Sequence, residues 1–544
     1  MTPLKNQYEK NSPSQPPGME VLKGFVTTKS LFYLFLGVAA LILFAHLGLP
    51  PLRGSEGRWA VIARSMLRSG DLFSPLLGTH DYWDKPLLSY WQVLPLSYIT
   101  RGVSEFTLRF PSVVWALVML FLTYRLTQRW FDEQTALLSA SILATSFDFF
   151  SHGRESQVEM TNAAMVLLCL WYFLKHKSNN KHTWVYGLGI LMGLGANMKG
   201  LVLYGVPIFG IVLLSVIKRE WSWIPPLKSL IPAGLLSLAI FLAVPAVASI
   251  YSATWEPLQM VWRENVLRFL GQHDHKDPFY TYFVTIFYMA APWSLLLPVA
   301  IVHSLQGARR RIAQIPEALI LFGAIFLFFT LSGSRRSYYL LPILPFAAIL
   351  VANVLRQFAV GALGRWTQGV VTGVGVLLGV ALIASVGVFL MLPQIFPVSI
   401  DNLWYAFVLL AFLGAIMIAS TMKKYVWGMV GPAFAVWVIY VIVGIPLIAA
   451  GPNLKTKIAE VNALGRPYAF LNIDDARLEF YFDEPHQVFS NESRAFEWAN
   501  QTDGVVIASG DLSNQSWECL VEHRKWRAVI PRVSARLIDP HRLR

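Results

Sequence analysis

Apolar runs of about twenty residues recur along most of this chain, separated by short polar loops. At a rise of 1.5 Å per residue, a helix of that length crosses the ~30 Å hydrocarbon core of a bilayer. The runs predict membrane helices at roughly 30–50, 110–130, 135–153, 160–175, 184–198, 201–217, 229–250, 280–304, 317–333, 338–356, 368–392, 403–421 and 425–449, about thirteen in all. Two stretches between them are polar and mixed, about 51–109 and about 251–279. In the first, Arg58-Trp-Ala-Val-Ile-Ala-Arg-Ser-Met-Leu-Arg68 alternates apolar and basic positions as a helix lying in the membrane interface does. From about residue 450 the pattern changes. Charges become frequent, and short runs such as Tyr468–Asn472 and Gly504–Ala508 stand between turn residues, as in a small α/β domain. The sequence thus divides into a tail (1–29), a polytopic α-helical membrane domain (30–449) and a C-terminal domain (450–544).

Composition agrees with a membrane protein: of 544 residues, 55% are hydrophobic and 14% charged, well under the charge of a soluble chain. The net charge of +13 is not a nucleic-acid signal, because the cations gather in loops. Lys175, Lys177 and Lys181 share one loop, Lys218 and Arg219 another, Arg309 to Arg311 a third, Lys423 and Lys424 a fourth. With Lys5, Lys10, Lys23 and Lys29 in the tail, all fall on one side, which the positive-inside rule makes cytoplasmic. An odd number of spans then places the C-terminal domain outside. No small-residue cleavage site closely follows the first apolar run, so it is expected to be retained as a helix. Two cysteines, Cys169 and Cys519, form neither a disulfide framework nor a metal cluster.

Ionisable residues at the mouths of the helices carry the candidate chemistry. Glu56 follows the first helix in Ser55-Glu56-Gly57-Arg58, and Glu159 follows Arg154-Glu155-Ser156-Gln157-Val158 at a turn between two spans. Each alone reads as a loop acid paired with a neighbour, Arg58 or Arg154; two on the same side point to a site. Lys85 lies in Tyr82-Trp83-Asp84-Lys85-Pro86-Leu87-Leu88-Ser89-Tyr90-Trp91, either as a phosphate-binding point charge or as a lysine snorkelling in an aromatic belt. Arg268 offers a forked second donor, and Lys199, before Gly200 between two close apolar runs, needs a counter-charge or a water-filled cavity. In Ser334-Arg335-Arg336-Ser337-Tyr338-Tyr339, two arginines on the outer side suit an anionic ligand or a lipid headgroup. His273 and His275, with Asp274 between them and Asp84 as a further acid, have a spacing unspecific for a metal. Carboxylates facing cations at a water–lipid boundary are what handling a phosphate-bearing lipid requires.

The order of these residues resembles a family. An acid follows the first helix, then come Tyr82-x-Asp84-Lys85-Pro86 with Tyr90-Trp91, an acid at the next helix turn, Lys199-Gly200, Arg268-Phe269 and Tyr339-x-Leu341-Pro342. This is similar to the polyprenyl-phosphate-sugar-dependent glycosyltransferases of the GT-C fold. The likeness covers about residues 30–450 and is nearest to bacterial aminoarabinose transferases of lipid A, with protein O-mannosyltransferases more distant. The Asp84-Lys85-Pro86 block is its most specific part. The resemblance implies a GT-C membrane enzyme of the bacterial inner membrane, taking its sugar from undecaprenyl phosphate and passing it to lipid A or another envelope acceptor. Lys85 and Arg268 would hold the donor phosphate and Lys199 would line the same cavity. Tyr339 falls on the family's mobile outer loop, and Arg58, Asp84 and Arg336 are placed along the cavity. Glu56 and Glu159 would be the catalytic acids. Two departures stand out: Ser55 replaces the family's first aspartate, and Arg263 takes the position of a histidine linked to metal, so no metal is expected. Transfer to protein or polysaccharide hydroxyls is an alternative. So is a lipid-linked-sugar flippase or binding protein, although that would call for matching broken helices in two halves, and the sequence has no such symmetry.

Overall fold

The apolar runs are helices, interrupted where a polar group or proline disturbs the backbone ladder. The computed structural model describes residues 27–78, 80–267, 277–278, 280–307, 316–395, 404–451, 453–473, 475–482, 487–509, 512, 517–523 and 526–531. Among them, seven helical stretches are long and apolar enough to cross a membrane: Glu105–Trp130, Val158–His176, Leu227–Tyr251, Ser337–Ala359, Arg365–Gly387, Trp404–Met422 and Trp427–Asn462. An eighth candidate is the pair Thr281–Met289 and Trp293–Gln306, bent by 117°. Thr28–Phe44, Val202–Lys218 and Glu317–Leu331 are apolar but shorter. The chain is a polytopic membrane protein.

Some expected spans are split. The run at 135–153 is two helices, Glu133–Ala144 and Phe147–Gly153. Backbone groups freed at the break find other partners: the Trp437 indole donates to the Thr145 carbonyl at 3.1 Å, and the Phe147 amide to the Ala291 carbonyl at 2.9 Å. The run at 425–449 is helical over Trp427–Ile439, a π turn over Tyr440–Gly444, and helical again over Ile445–Ala450.

The chain forms two compact units. The first comprises residues 1–47, 83–93 and 109–444. Its most enclosed candidate spans are Val158–His176 and Ser337–Ala359, 78% and 83% buried; Leu227–Tyr251, Arg365–Gly387 and Trp404–Met422 are 17–22% buried and present their apolar faces outward. The helix Trp184–Lys199 packs on Leu227–Tyr251 through small residues. A Cβ on Gly189 would stand 2.7 Å from the Ala233 carbonyl, and one on Gly193 2.6 Å from the Ser237 carbonyl. This small-xxx-small seam lets the two backbones approach and sets where Lys199, the last residue of the helix, emerges.

The second unit comprises residues 48–82, 94–108 and 445–544. Its strands β1 Leu76–Leu77 and β2 His80–Asp81 form an antiparallel pair, and its larger sheet has the order β4-β3-β5-β7-β6, with β3 Tyr468–Leu471, β4 Gln487–Phe489, β5 Val505–Ala508, β6 Trp517–His523 and β7 Trp526–Pro531. β3 runs parallel to β4 and β5; β7 is antiparallel to β5 and β6. Alternation sorts the side chains to two faces. Phe470, Val505, Ile507 and Ile530 pack with the helices Leu454–Asn462 and Ala476–Tyr481. Leu471, Val506, Ala508 and Val529 pack under Ala495 and Ala499 of Glu492–Thr502. The helix Glu56–Ser69 belongs to this unit and buries Glu56, Trp59, Ala60, Ile62, Ala63 and Met66.

Candidate active site

Glu159 stands in the first turn of Val158–His176, and Lys199 ends Trp184–Lys199. Each therefore lies where its helix dipole favours its charge. The two meet: the Lys199 Nζ donates to Glu159 Oε1 at 2.7 Å, with the side chains only 11% and 8% exposed. Gly200 makes this placement possible. Its φ of 91° and ψ of −159° are open essentially to glycine alone, and they turn the chain from the lysine into the next helix.

Above the pair is an aromatic and cationic rim. Lys199 lies 5.0 Å from the Tyr339 ring centre and 5.6 Å from that of Tyr338. Arg336 donates to the Tyr338 hydroxyl at 3.0 Å, and the His152 ring is 6.2 Å from the Tyr338 ring. The 3₁₀ turn Ser337–Ile343 presents both tyrosines, because Pro342 and Pro345 interrupt regular α-helical bonding there.

Lys85 is held in a second cluster of the same unit. Its ammonium donates to Asp84 Oδ2 at 2.9 Å and to the Asp84 carbonyl at 3.0 Å, and lies 3.7 Å from Glu264 Oε2. Arg263, at the start of the π turn Arg263–Leu267, donates to the Trp83 carbonyl and approaches Glu264 Oε1 at 3.5 Å. The 83–85 loop is thus tied to the 263–264 turn. An apolar cleft lined by Trp83, Pro86, Leu87, Phe241, Pro245 and Met260 begins at the same loop.

Glu56 and Arg58 belong to the second unit. Glu56 is fully buried, and its Oε2 accepts from the Arg53 amide at 2.8 Å. Arg58 donates to the Tyr82 hydroxyl. Arg268, His273, Asp274 and His275 lie outside the described residues.

Sequence reasoning overlooked Glu264 as a site residue. It stands in an ordinary polar run, and only the turn that brings it to Lys85 marks it. Arg154 was a candidate partner for Glu159, but it donates instead to the carbonyls of Ile42, Leu43 and Ala45 at 2.6–2.7 Å, closing the end of the first helix. A resident metal does not fit the position the resemblance suggested: the Arg263 guanidinium and the Lys85 ammonium already face Glu264 there. Among the described residues, no three His, Cys, Asp or Glu side chains gather as metal ligands.

A family model described as dolichyl-phosphate-mannose-protein mannosyltransferase matches residues 84–247, the interval holding Lys85, Glu159 and Lys199. An undecaprenyl phosphate-α-4-amino-4-deoxy-L-arabinose arabinosyl transferase of Proteus mirabilis is 27% identical over 69% of this chain and 66% of its own. A transferase of the same name from Pseudomonas aeruginosa is 28% identical over 73% of this chain and 71% of its own. The crystal structures of ArnT from Cupriavidus metallidurans share the fold. The apo form gives a TM-score of 0.72 at 18% identity over 94% of this chain and 99% of the other. The form bound to undecaprenyl phosphate gives 0.69 at 19% identity over 92% and 98%. The chain shares the fold of these transferases. Of the residues expected from sequence, Lys199 pairs with Glu159 and Lys85 with Asp84 in the first unit, while Glu56 and Arg58 belong to the second.

Proposed function

We propose that the chain transfers a sugar from undecaprenyl phosphate to lipid A or another envelope acceptor at the outer face of the bacterial inner membrane. The fold would have about thirteen membrane helices, a cytoplasmic N-terminus and a periplasmic C-terminal domain. The observation that carries the reading is the pairing of Glu159 with Lys199 beneath Tyr338 and Tyr339, with Lys85 held between Asp84 and Glu264 in the same unit. The aminoarabinose transferases that the chain resembles supply the substrate class.

Lys85, with Arg268, holds the donor phosphate, and Lys199 lines the same cavity. Arg336, Tyr339 and Asp84 border the substrate. The polyprenyl chain suits the apolar cleft that starts at Trp83 and Pro86. The bond between the sugar's anomeric carbon and the lipid phosphate breaks, and one to the acceptor oxygen forms with inversion. The leaving group is a phosphate monoester, so the enzyme's task is positioning and neutralising charge on that phosphate. A hydroxyl acceptor needs Glu56 or Glu159 to take its proton. A phosphate acceptor needs no base, and there the carboxylates orient the sugar.

The test is incubation of the purified chain with a panel of undecaprenyl-phosphate sugars and with lipid A, an envelope polysaccharide or protein as acceptor, read by mass spectrometry. A sugar-bearing acceptor and free undecaprenyl phosphate are expected together. Donor binding with no product from any acceptor would favour a lipid-linked-sugar binding protein or flippase instead.

A further inference from the structure

The helix carrying Glu56 is fastened along its length to one short helix, Ala476–Tyr481, within the same unit. At its start, Gly57 touches that helix backbone to backbone: a Cβ there would stand 2.5 Å from the Arg477 nitrogen. Two turns on, Arg64 donates to the carbonyls of Phe480 and Glu479 at 2.8 and 3.0 Å, taking up the other end of the short helix. Seven residues of helix advance about 10 Å, close to the length of the six-residue helix beside it.

The last residue of the short helix reaches Glu56 through two successive amides. The Tyr481 hydroxyl donates to Glu105 Oε1 at 2.7 Å and accepts from the Leu52 amide at 2.8 Å. The next amide, of Arg53, donates to Glu56 Oε2 at 2.8 Å, while the Glu56 amide returns to the Arg53 carbonyl at 2.9 Å. Lys455 backs the network with a 2.5 Å ion pair to Glu105 and a 3.3 Å bond to the Gly48 carbonyl. One oxygen of Glu56 is therefore pinned by a turn that Tyr481 itself holds.

We propose that Tyr481 is a positioning residue for Glu56: its hydroxyl fixes the Leu52–Arg53 turn, and the turn fixes which way the Glu56 carboxylate points. The proposal rests on Glu56 being an acid of the transfer site. It gives the C-terminal strands and helices a part in catalysis without touching substrate. Tyr481→Phe keeps the ring in its packing and deletes only the hydroxyl.

The experiment is steady-state transfer by the full chain in detergent, with an undecaprenyl-phosphate sugar as donor and lipid A as acceptor. Wild type, Tyr481→Phe, Glu105→Gln and Glu56→Gln are compared, each with a thermal melt. Tyr481→Phe is expected to lower kcat by about ten- to a hundredfold, the order that a displacement near 1 Å costs, while donor KM and melting temperature stay near wild type. Glu105→Gln, which weakens the acceptor of the same hydroxyl, is expected to give the same split with a smaller loss. Full rate in Tyr481→Phe beside an inactive Glu56→Gln overturns the positioning role alone. A fall in melting temperature with kcat and KM moving together also overturns it, because the hydroxyl is then a structural strut. Full rate in Glu56→Gln overturns the reading of Glu56 on which the proposal depends.

Discussion

A nearly buried lysine at the end of an apolar helix is tolerable only with a counter-charge, and Lys199 has one in Glu159. That need was legible in the sequence, but the partner was not. The two are 40 positions apart, and their meeting depends on where each helix ends and how Gly200 turns the chain. The neighbour in sequence, Arg154, was occupied elsewhere by three carbonyls. Removing one member of such a pair leaves a buried charge, so Lys199→Met is expected to destabilise the chain by about 3–5 kcal/mol and to abolish transfer. The double variant Lys199→Met with Glu159→Gln should recover most of the stability and none of the activity, read by melts and transfer assays in parallel. Equal stability of the single and double variants would mean the pair is not coupled. A second residue-scale prediction concerns Glu479. Burial pushes its carboxyl above the ordinary value of 4.5, although Arg64 and the Gly78 amide pull the other way. The folded chain then keeps a proton that the unfolded chain has released. This contribution is full below the ordinary value and is lost as pH rises through the raised one. Glu479→Gln should therefore melt progressively higher relative to wild type as pH increases from about 4 to about 7. A gap that narrows over that range would refute the assignment.

At the scale of elements, the apolar period located the helices well, because burial in lipid and burial in protein select the same side chains. It could not locate the interruptions. The break at Thr145–Ser146 and the π turn at Tyr440–Gly444 lie inside runs that each read as a single span, and indole donors and neighbouring helices make the break tolerable. The strands at 468–471 and 505–508 were legible from their bounding turn residues. The helix Ala476–Tyr481 was not, since six residues carry too little pattern. Two glycines test the element packing. Gly200→Ala puts a side chain at φ 91°, a strain of about 1–3 kcal/mol that should displace Lys199 and reduce both melting temperature and transfer. Gly57→Ala drives a methyl against the Arg477 backbone and should cost about 1–3 kcal/mol by overpacking. Wild-type melting temperatures for both variants would show that these helices have room to move.

At the scale of the whole molecule, the proposed orientation can be read with the chain's own two cysteines. Cys169 is buried in a membrane helix, while Cys519 is exposed on β6. Burial and the nearby Glu522 carboxylate push the Cys519 thiol up, so labelling should quicken as pH rises. A membrane-impermeant maleimide added to intact spheroplasts is expected to label Cys519 if the C-terminal domain lies outside. Labelling only after lysis would reverse the topology and move the transfer chemistry to the other face. The most direct test of the account is single-turnover transfer from an undecaprenyl-phosphate sugar to lipid A in proteoliposomes, comparing wild type with Lys85→Ala and Glu159→Gln. Loss of a cation that neutralises the leaving phosphate should slow transfer by about a hundred- to a thousandfold, and loss of the Glu159 charge should also slow it, with both variants folded. Wild-type rates in both would contradict a lipid-phosphate transfer site at these residues.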